Sequence, residues 1–224
     1  KIKKTISNNT SQKFIFGENY SFNKNTVGFV YNDKFGKISL PIPNLLGDFQ
    51  ISNVSAAIAT VRVLKQFNIS KTHIKKAITK IRSEGRLQKI TQGKLLKYIS
   101  KNNEILIDGA HNLLAASAVV KYLKTLNKKR KIIMVLGMMA NKEHKKFIQA
   151  FKNMVHSIVA MDIPNQINFL EKNKLLKIAQ SCGISSKTED TLELAFKNIA
   201  KENDDAIIFC TGSLYFVGEI LNLN

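Results

Sequence analysis

Asp108, His111 and Asn112, set in the run Ile105-Leu-Ile-Asp108-Gly109-Ala110-His111-Asn112, are the side chains whose types and spacing best suit chemistry. A carboxylate, an imidazole and an amide follow a short apolar run and flank a glycine, and an Ala-rich stretch begins at once. This order predicts a strand, a tight turn and a helix start. The polar groups would then fall at the carboxyl end of a strand, where open α/β sheets bind ligands. Free backbone N–H groups and the helix dipole at such a place suit a phosphate or a carboxylate. Asp108 reads as a ligand or as a turn residue, and His111 and Asn112 as ligands or as helix caps.

Two more glycine-bearing turns occupy the same topological place. Gly137-Met138-Met139 ends the apolar run Ile132 to Leu136, and Thr211-Gly212-Ser213 ends the run Ala206 to Cys210. Carboxyl ends of parallel strands lie on one edge of a sheet, so the three turns are expected to converge. Ser213, at a helix start, reads first as an N-cap and second as a ligand hydroxyl. Arg86 follows Gly85 in a chain whose cations are nearly all Lys, and a guanidinium suits bidentate contact with phosphate. Asn53, at the start of an Ala-rich helix, either caps that helix or presents its amide to a ligand. His73, His144 and His156 have no carboxylate or Cys partner at useful spacing and read as structural. No metal-ligand spacing is present. Neither G-x-G-x-x-G nor G-x-x-x-x-G-K-[ST] occurs, so the chain carries no dinucleotide fingerprint and no phosphate loop of its own.

These residues need a frame, and the periodicity supplies one. Residues 1 to about 45 alternate weakly, as in Phe14-Ile-Phe and Val27-Gly-Phe-Val-Tyr, between turn signals such as Asn32-Asp33-Lys34-Phe35-Gly36, which predicts a few antiparallel strands. Two helices follow, the first from about Asn53 and the second after Ser70 as N-cap, with Ile74, Ala77, Ile78 and Ile81 on one stripe. Beyond Ser83 to Gly85 strand and helix alternate. Strands are predicted at 95–100, 104–107, 132–136, 156–161 and 206–210, and helices at 112–126, 143–154, 172–181, 191–201 and from 213 on. Such alternation argues for a mostly parallel, doubly wound sheet with right-handed crossovers.

The composition is that of a soluble globular protein, with 44% hydrophobic and 23% charged residues, no membrane-spanning apolar run and no signal-peptide core, so a cytoplasmic location is expected. Cys182 and Cys210 read as buried free thiols. The formal charge of +19 invites a nucleic-acid reading. The lysines are scattered, however, and the densest run, Lys128-Lys129-Arg130-Lys131, has no interleaved aromatic residues. Solvated helix faces explain the charge more simply. The first residue is Lys1, which suggests an incomplete chain.

Taken in order, Gly47-x-x-Gln50-x-x-Asn53 before an Ala-rich helix, Gly85-Arg86-x-Gln88, Asp108-Gly109-Ala110-His111-Asn112, Val135-Leu136-Gly137-Met138-Met139 and Thr211-Gly212-Ser213-Leu214-Tyr215 resemble the carboxyl-terminal half of the folylpolyglutamate synthase / dihydrofolate synthase family, in the Mur ligase superfamily. The resemblance covers about residue 40 to the end. Phe49, Leu113 and Asn141 depart from the family's usual His, Pro and Asp. The resemblance implies a Rossmann-like, mostly parallel, doubly wound sheet, the Mur ligase C-terminal domain, over 85–224, preceded by the incomplete end of a P-loop ATPase domain over 1–84. It implies an ADP-forming ligase that joins L-glutamate to dihydropteroate or to a folate polyglutamate through an acyl phosphate, using ATP and Mg2+. The phosphate loop and the metal ligands would lie upstream, leaving this stretch inactive alone. Asn53, Arg86 and Asp108 would bind ATP, Asp108 by holding the ribose hydroxyls or orienting neighbouring groups, and His111 and Ser213 would lie near the incoming glutamate or the reacting phosphate. The partners implied are small molecules, for a monomer that binds neither nucleic acid nor membrane. Two other readings are a different Mur-type ligase acting on a cell-wall precursor and a non-catalytic basic module that binds nucleic acid.

Overall fold

A computed structural model describes residues 13–224, apart from 65, 127 and 128. Residues 1–12 of the predicted strand region and Lys128 of the basic run lie outside the described residues. The chain divides into two compact units, one running to Asn44 and including Asp48–Arg82, the other made of Leu45–Gly47 and Ser83–Asn224.

In the first unit, β1 (Tyr20–Lys24), β2 (Gly28–Asp33) and β3 (Gly36–Pro41) form an antiparallel meander in sequence order. The turn predicted at Asn32 to Gly36 is the β2–β3 hairpin, with Asp33 opposite Gly36. Alternate strand residues Phe29, Tyr31, Ile38 and Leu40 are buried with Ile51, Val54 and Ile58 of α1 (Phe49–Val63) and Ile74 and Ile78 of α2 (Lys71–Lys80). Period two meets period 3.6 across one small core. Ser70 caps α2 as expected: its hydroxyl accepts from the His73 N–H, and His73 Nδ1 accepts from the Ser70 N–H, a capping box with imidazole in the usual place of Glu. His73 is thus structural.

A buried ion pair in this unit gives no sequence signal. The Asp33 side chain is fully buried, and its carboxylate accepts from Arg62 Nε at 2.8 Å and Arg62 Nη2 at 3.0 Å. The Tyr31 hydroxyl and the Phe35 N–H also donate to it. Burial and the hydrogen bond to this carboxylate push the Tyr31 hydroxyl well above its ordinary value.

The second unit is built on a six-stranded sheet in the order β4-β5-β9-β6-β7-β8. Its strands are β4 (Gln88–Ile90), β5 (Glu104–Ile107), β6 (Lys131–Leu136), β7 (Ser157–Ala160), β8 (Ser186–Thr188) and β9 (Ala206–Thr211). Only the edge strand β4 is antiparallel. The connecting helices are α3 (Leu113–Leu123), α4 (His144–Gln149), α5 (Lys172–Ser181), α6 (Leu192–Glu202) and α7 (Leu214–Leu223). The central strands are apolar throughout because both faces are covered. Ile105, Ile107, Ile133, Val135, Ile208 and Cys210 share a core with Phe196 and Ile199 of α6 and Phe216, Val217 and Ile220 of α7. The alternate residues Leu106, Met134, Leu136 and Phe209 are buried as well, with Phe209 against Phe151 at 5.9 Å between ring centroids. This is the mostly parallel α/β fold that the alternation predicts. Both thiols are free and buried.

Two local readings are corrected, and two strands are added. Residues 95–100 are not a strand: Lys94–Tyr98 is a short 3₁₀ turn, because the N–H of Lys94 and of Leu95 are taken by Asn224 rather than by a neighbouring strand. The helix predicted over 143–154 is only His144–Gln149, and the chain continues to Met154 in turns. The three-residue strands β4 and β8 extend the sheet at its two edges, where periodicity is too short to reveal them.

Candidate functional site

The turns after β5, β6 and β9 meet at one rim, joined mainly by backbone hydrogen bonds. The Ala110 carbonyl accepts from the Gly212 N–H at 3.0 Å and from Thr211 Oγ1 at 3.3 Å. The Gly137 N–H donates to the Thr211 carbonyl, and the Asp108 N–H to the Cys210 carbonyl. Such close approach excludes side chains. A Cβ on Gly212, whose φ is +110°, would stand 2.5 Å from the Gly137 carbonyl oxygen, and one on Gly109 would run into Leu214. The convergence expected from topology is therefore present in the second unit.

Asp108 lies at the centre of this arrangement, 3% exposed. Its Oδ1 accepts from the Ala110 N–H and its Oδ2 from the Leu87 N–H, both at 2.8 Å. Burial raises its carboxyl above the usual carboxylate range, and these two N–H groups, with the charges of Arg86 and His111, pull it only part of the way back. The carboxylate thus ties the turn after β5 to the Gly85-Arg86-Leu87 turn that leads into β4. The Gly109 N–H adds a second tie by donating to the Gly85 carbonyl at 2.8 Å. Arg86 is exposed beside this buried carboxylate, at the same rim.

His111 is half-buried, with Nδ1 3.0 Å from the Gly109 carbonyl oxygen. A carbonyl only accepts, so Nδ1 carries a hydrogen, and Nε2 is the ring nitrogen not engaged by that bond. Asn112 is the N-cap of α3, its side chain accepting from the Ala115 N–H. Ser213 is the N-cap of α7: it is 3% exposed and its Oγ accepts from the Tyr215 N–H at 3.1 Å. Its hydroxyl hydrogen remains for donation. Helices α3 and α7 both begin at this rim, and their dipoles make it favourable to anions. Arg86, Asp108, His111 and Ser213 are therefore gathered in one place.

Asn53 belongs to the first unit, and its predicted position is corrected. Helix α1 starts at Phe49, with Asp48 in the cap position, so Asn53 lies one turn inside and is no N-cap. It is exposed and its Nδ2 donates to Gln50 Oε1 at 2.9 Å, which orients the amide along the helix face. The helix starts earlier than Ala content suggests because Ile51 and Val54 already face the core. His144 Nε2 lies 2.9 Å from the Met139 carbonyl, a structural role. His156 is exposed, and its N–H continues the sheet onto the Ile132 carbonyl.

Among the described residues no group of three or more His, Cys, Asp or Glu side chains is placed to hold a metal ion. What the rim offers is a guanidinium, a half-buried imidazole, a buried hydroxyl and two helix starts, a set suited to holding anionic groups. Sequence reasoning quoted Gln88 in the Gly85-Arg86-x-Gln88 motif without giving it a role, and it missed Leu87. The Gly85 N–H donates to Gln88 Oε1 at 2.9 Å, and Leu87, 1% exposed, adopts a left-handed φ of 47°. The proximity of Gln88 to Gly85-Arg86 was visible; a left-handed leucine has no sequence signal.

A doubly covered, mostly parallel sheet with glycine turns and helix starts along one rim defines an α/β domain of the doubly wound class, whose members bind ligands at the carboxyl ends of their strands. The family model for the Mur ligase glutamate ligase domain matches residues 85–214, more than half of the chain, and the chain belongs to that family. It is 24% identical over 196 residues to the folylpolyglutamate synthase of Lacticaseibacillus casei, covering 86% of this chain and 42% of that protein. It is 24% identical over 193 residues to the dihydrofolate synthetase of Saccharomyces cerevisiae, covering 80% and 45%. The chain thus spans less than half the length of these relatives. Among solved structures, E. coli FolC in complex with DHPP and ADP superposes with a TM-score of 0.82 at 19% identity, over 99% of this chain and 49% of that one. Mycobacterium tuberculosis folylpolyglutamate synthase complexed with ADP and AMPPCP gives 0.75 at 20% identity, over 93% and 48%. The fold is that of these ligases.

Proposed function

We propose that this chain is the carboxyl-terminal part of an ADP-forming ligase that joins L-glutamate to dihydropteroate or to a folate polyglutamate, with residues 1–84 closing an ATPase domain and 85–224 forming the glutamate ligase domain. The observation that carries the reading is the Asp108 carboxylate, which binds the Arg86 turn to the carboxyl rim of the sheet, between two helix starts. The relatives' names, the ADP bound to one similar structure and the AMPPNP and L-glutamate bound to another point to the same substrates. ATP, when bound, supplies the phosphoryl group that turns the substrate carboxylate into an acyl phosphate, open to attack by the glutamate amine with loss of phosphate. Arg86 would contact the phosphates, and Asn53 the nucleotide from the ATPase side. Asp108 would hold the ribose hydroxyls or, through its two N–H bonds, orient Arg86. His111 Nε2 and the Ser213 hydroxyl would face the glutamate or the reacting phosphate. The residues described here fit the anionic part of ATP; its magnesium would be held by a part of the enzyme outside them. Such a ligase would work in the cytoplasm, as a monomer, on small molecules alone.

Two measurements test the reading. In the full-length ligase, Arg86→Ala should lower kcat/KM for ATP by about 10- to 100-fold, the loss expected for one charge-assisted phosphate contact. Unchanged kinetics would remove Arg86 from the site. A competition assay of dihydropteroate against a UDP-muramoyl acid should show turnover with the pteroate only, and the opposite outcome would move the chain to another branch of the family.

A further inference from the structure

The turn that carries Arg86 is held more firmly than an exposed connector requires. Gly85 is fixed on both sides: its N–H donates to Gln88 Oε1 at 2.9 Å and its carbonyl accepts from the Gly109 N–H at 2.8 Å. Leu87 is fixed through its N–H on Asp108 and through a buried side chain, in a conformation that an L-residue rarely adopts. A strained residue persists only where its surroundings over-determine it, and such places cluster at functional sites. Gln88 opens β4, where it pairs with Ile107, the residue before Asp108. Its backbone is thereby anchored to the sheet while its side chain reaches back three residues to the far side of the turn. A side chain that spans the turn in this way sets the direction in which residue 86 leaves it.

We propose that Gln88 is a positioning residue of the ATP-dependent step: its amide oxygen, by holding the Gly85 N–H, aims the Arg86 guanidinium at the phosphates. The inference rests on the reading of Arg86 as a phosphate contact. Gln88 touches no substrate and acts only through its neighbour. Its removal should therefore be felt in the parameters of ATP, and only while Arg86 is present.

The test uses the full-length ligase with R86A, Q88M, Q88E and the R86A/Q88M double variant, followed by steady-state kinetics and hydrogen exchange of the peptide spanning 83–90. Methionine keeps the size of Gln and lacks the acceptor, whereas Glu keeps an oxygen at the same reach. Q88M should lower kcat/KM for ATP about tenfold, the scale of one lost backbone-to-side-chain hydrogen bond, with KM for glutamate unchanged and faster exchange in 83–90. Q88E should restore the slow exchange, and the double variant should be no worse than R86A alone. If the two losses multiply, if ATP and glutamate parameters fall equally, or if exchange is unaltered, Gln88 is not a positioning residue. If R86A is impaired and Q88M is not, only the Gln88 assignment falls; if R86A itself is silent, the phosphate reading falls and takes this one with it. Should Q88M fail to fold, Q88N, one methylene too short to reach Gly85, bears the same comparison.

Discussion

At the carboxyl ends of β5, β6 and β9 the chain is joined by short backbone hydrogen bonds between glycine turns, with one buried carboxylate among them. At the amino ends of the same strands it is joined by long charged side chains. Arg130, immediately before β6, pairs with Glu104 and with Asp205 at 2.6 Å, and donates to the carbonyls of Asn102 and Ala206. Lys89 adds a second cation on Glu104 at 2.7 Å. The contrast is sharpest along β5, which starts at Glu104 and ends just before Asp108. Two cations hold the Glu104 carboxyl below its ordinary value, the hydrogen bond from Lys89 contributing most, while burial holds Asp108 above its own. The carboxyl rim is built from backbone, which has few ways to relax. An end that has only to close the sheet can use flexible ions.

The comparison can be broken most forcefully at Gly212. Gly212→Val should cost about 4 kcal/mol or more, read as the shift of the urea midpoint, because the side chain meets a carbonyl oxygen that cannot swing away and a φ that valine rejects. Gly109→Ala should cost clearly less, since its neighbour is the movable end of Leu214. If the two are equal, the rim is softer than its hydrogen bonds imply.

Asp108→Ala should cost about 3 kcal/mol, leaving two buried N–H groups without acceptors. The pH dependence of Asp108→Asn sharpens the point. The native carboxyl binds its proton more tightly than the unfolded one, so the folded state holds more protons between the ordinary carboxylate value and the raised one. Stability falls as pH rises across that interval. The wild-type advantage over Asp108→Asn should therefore shrink with rising pH. Glu104→Gln should behave in the opposite sense: the contribution of Glu104 is present above the ordinary carboxylate value and is lost as pH falls through the lowered one. Being half-exposed, it should amount to only about 1 kcal/mol and fade in salt. Urea midpoints from about pH 3 to about pH 7 would test both slopes, and equal signs would undo the comparison.

Legibility in the sequence follows the same division. The order of strand, turn and helix was readable from apolar runs, and the convergence of the three turns from the topology of parallel sheets, because both depend on local pattern and on a general rule. The caps at Ser70, Asn112 and Ser213 were readable because a side chain bonds only a few residues on. The Asp33–Arg62 pair, the capture of the Lys94 and Leu95 N–H groups by Asn224 and the grip of Asp108 on Leu87 join residues far apart in the chain, and no spacing announces them. The start of α1 was misplaced because residues 49–53 lack helix-favouring composition, and burial of Ile51 decides the matter instead.

One consequence follows from the way residue 86 is mounted. Tied by Gly109 on one side, by Asp108 on the other and by β4 behind, the arginine has no loop of its own to swing. Its guanidinium still turns on its own exposed side-chain bonds, but the backbone from which it starts is fixed to the sheet. What movement the side chain has is then rotamer exchange about a fixed root, on the picosecond to nanosecond scale, rather than the slower opening of a loop.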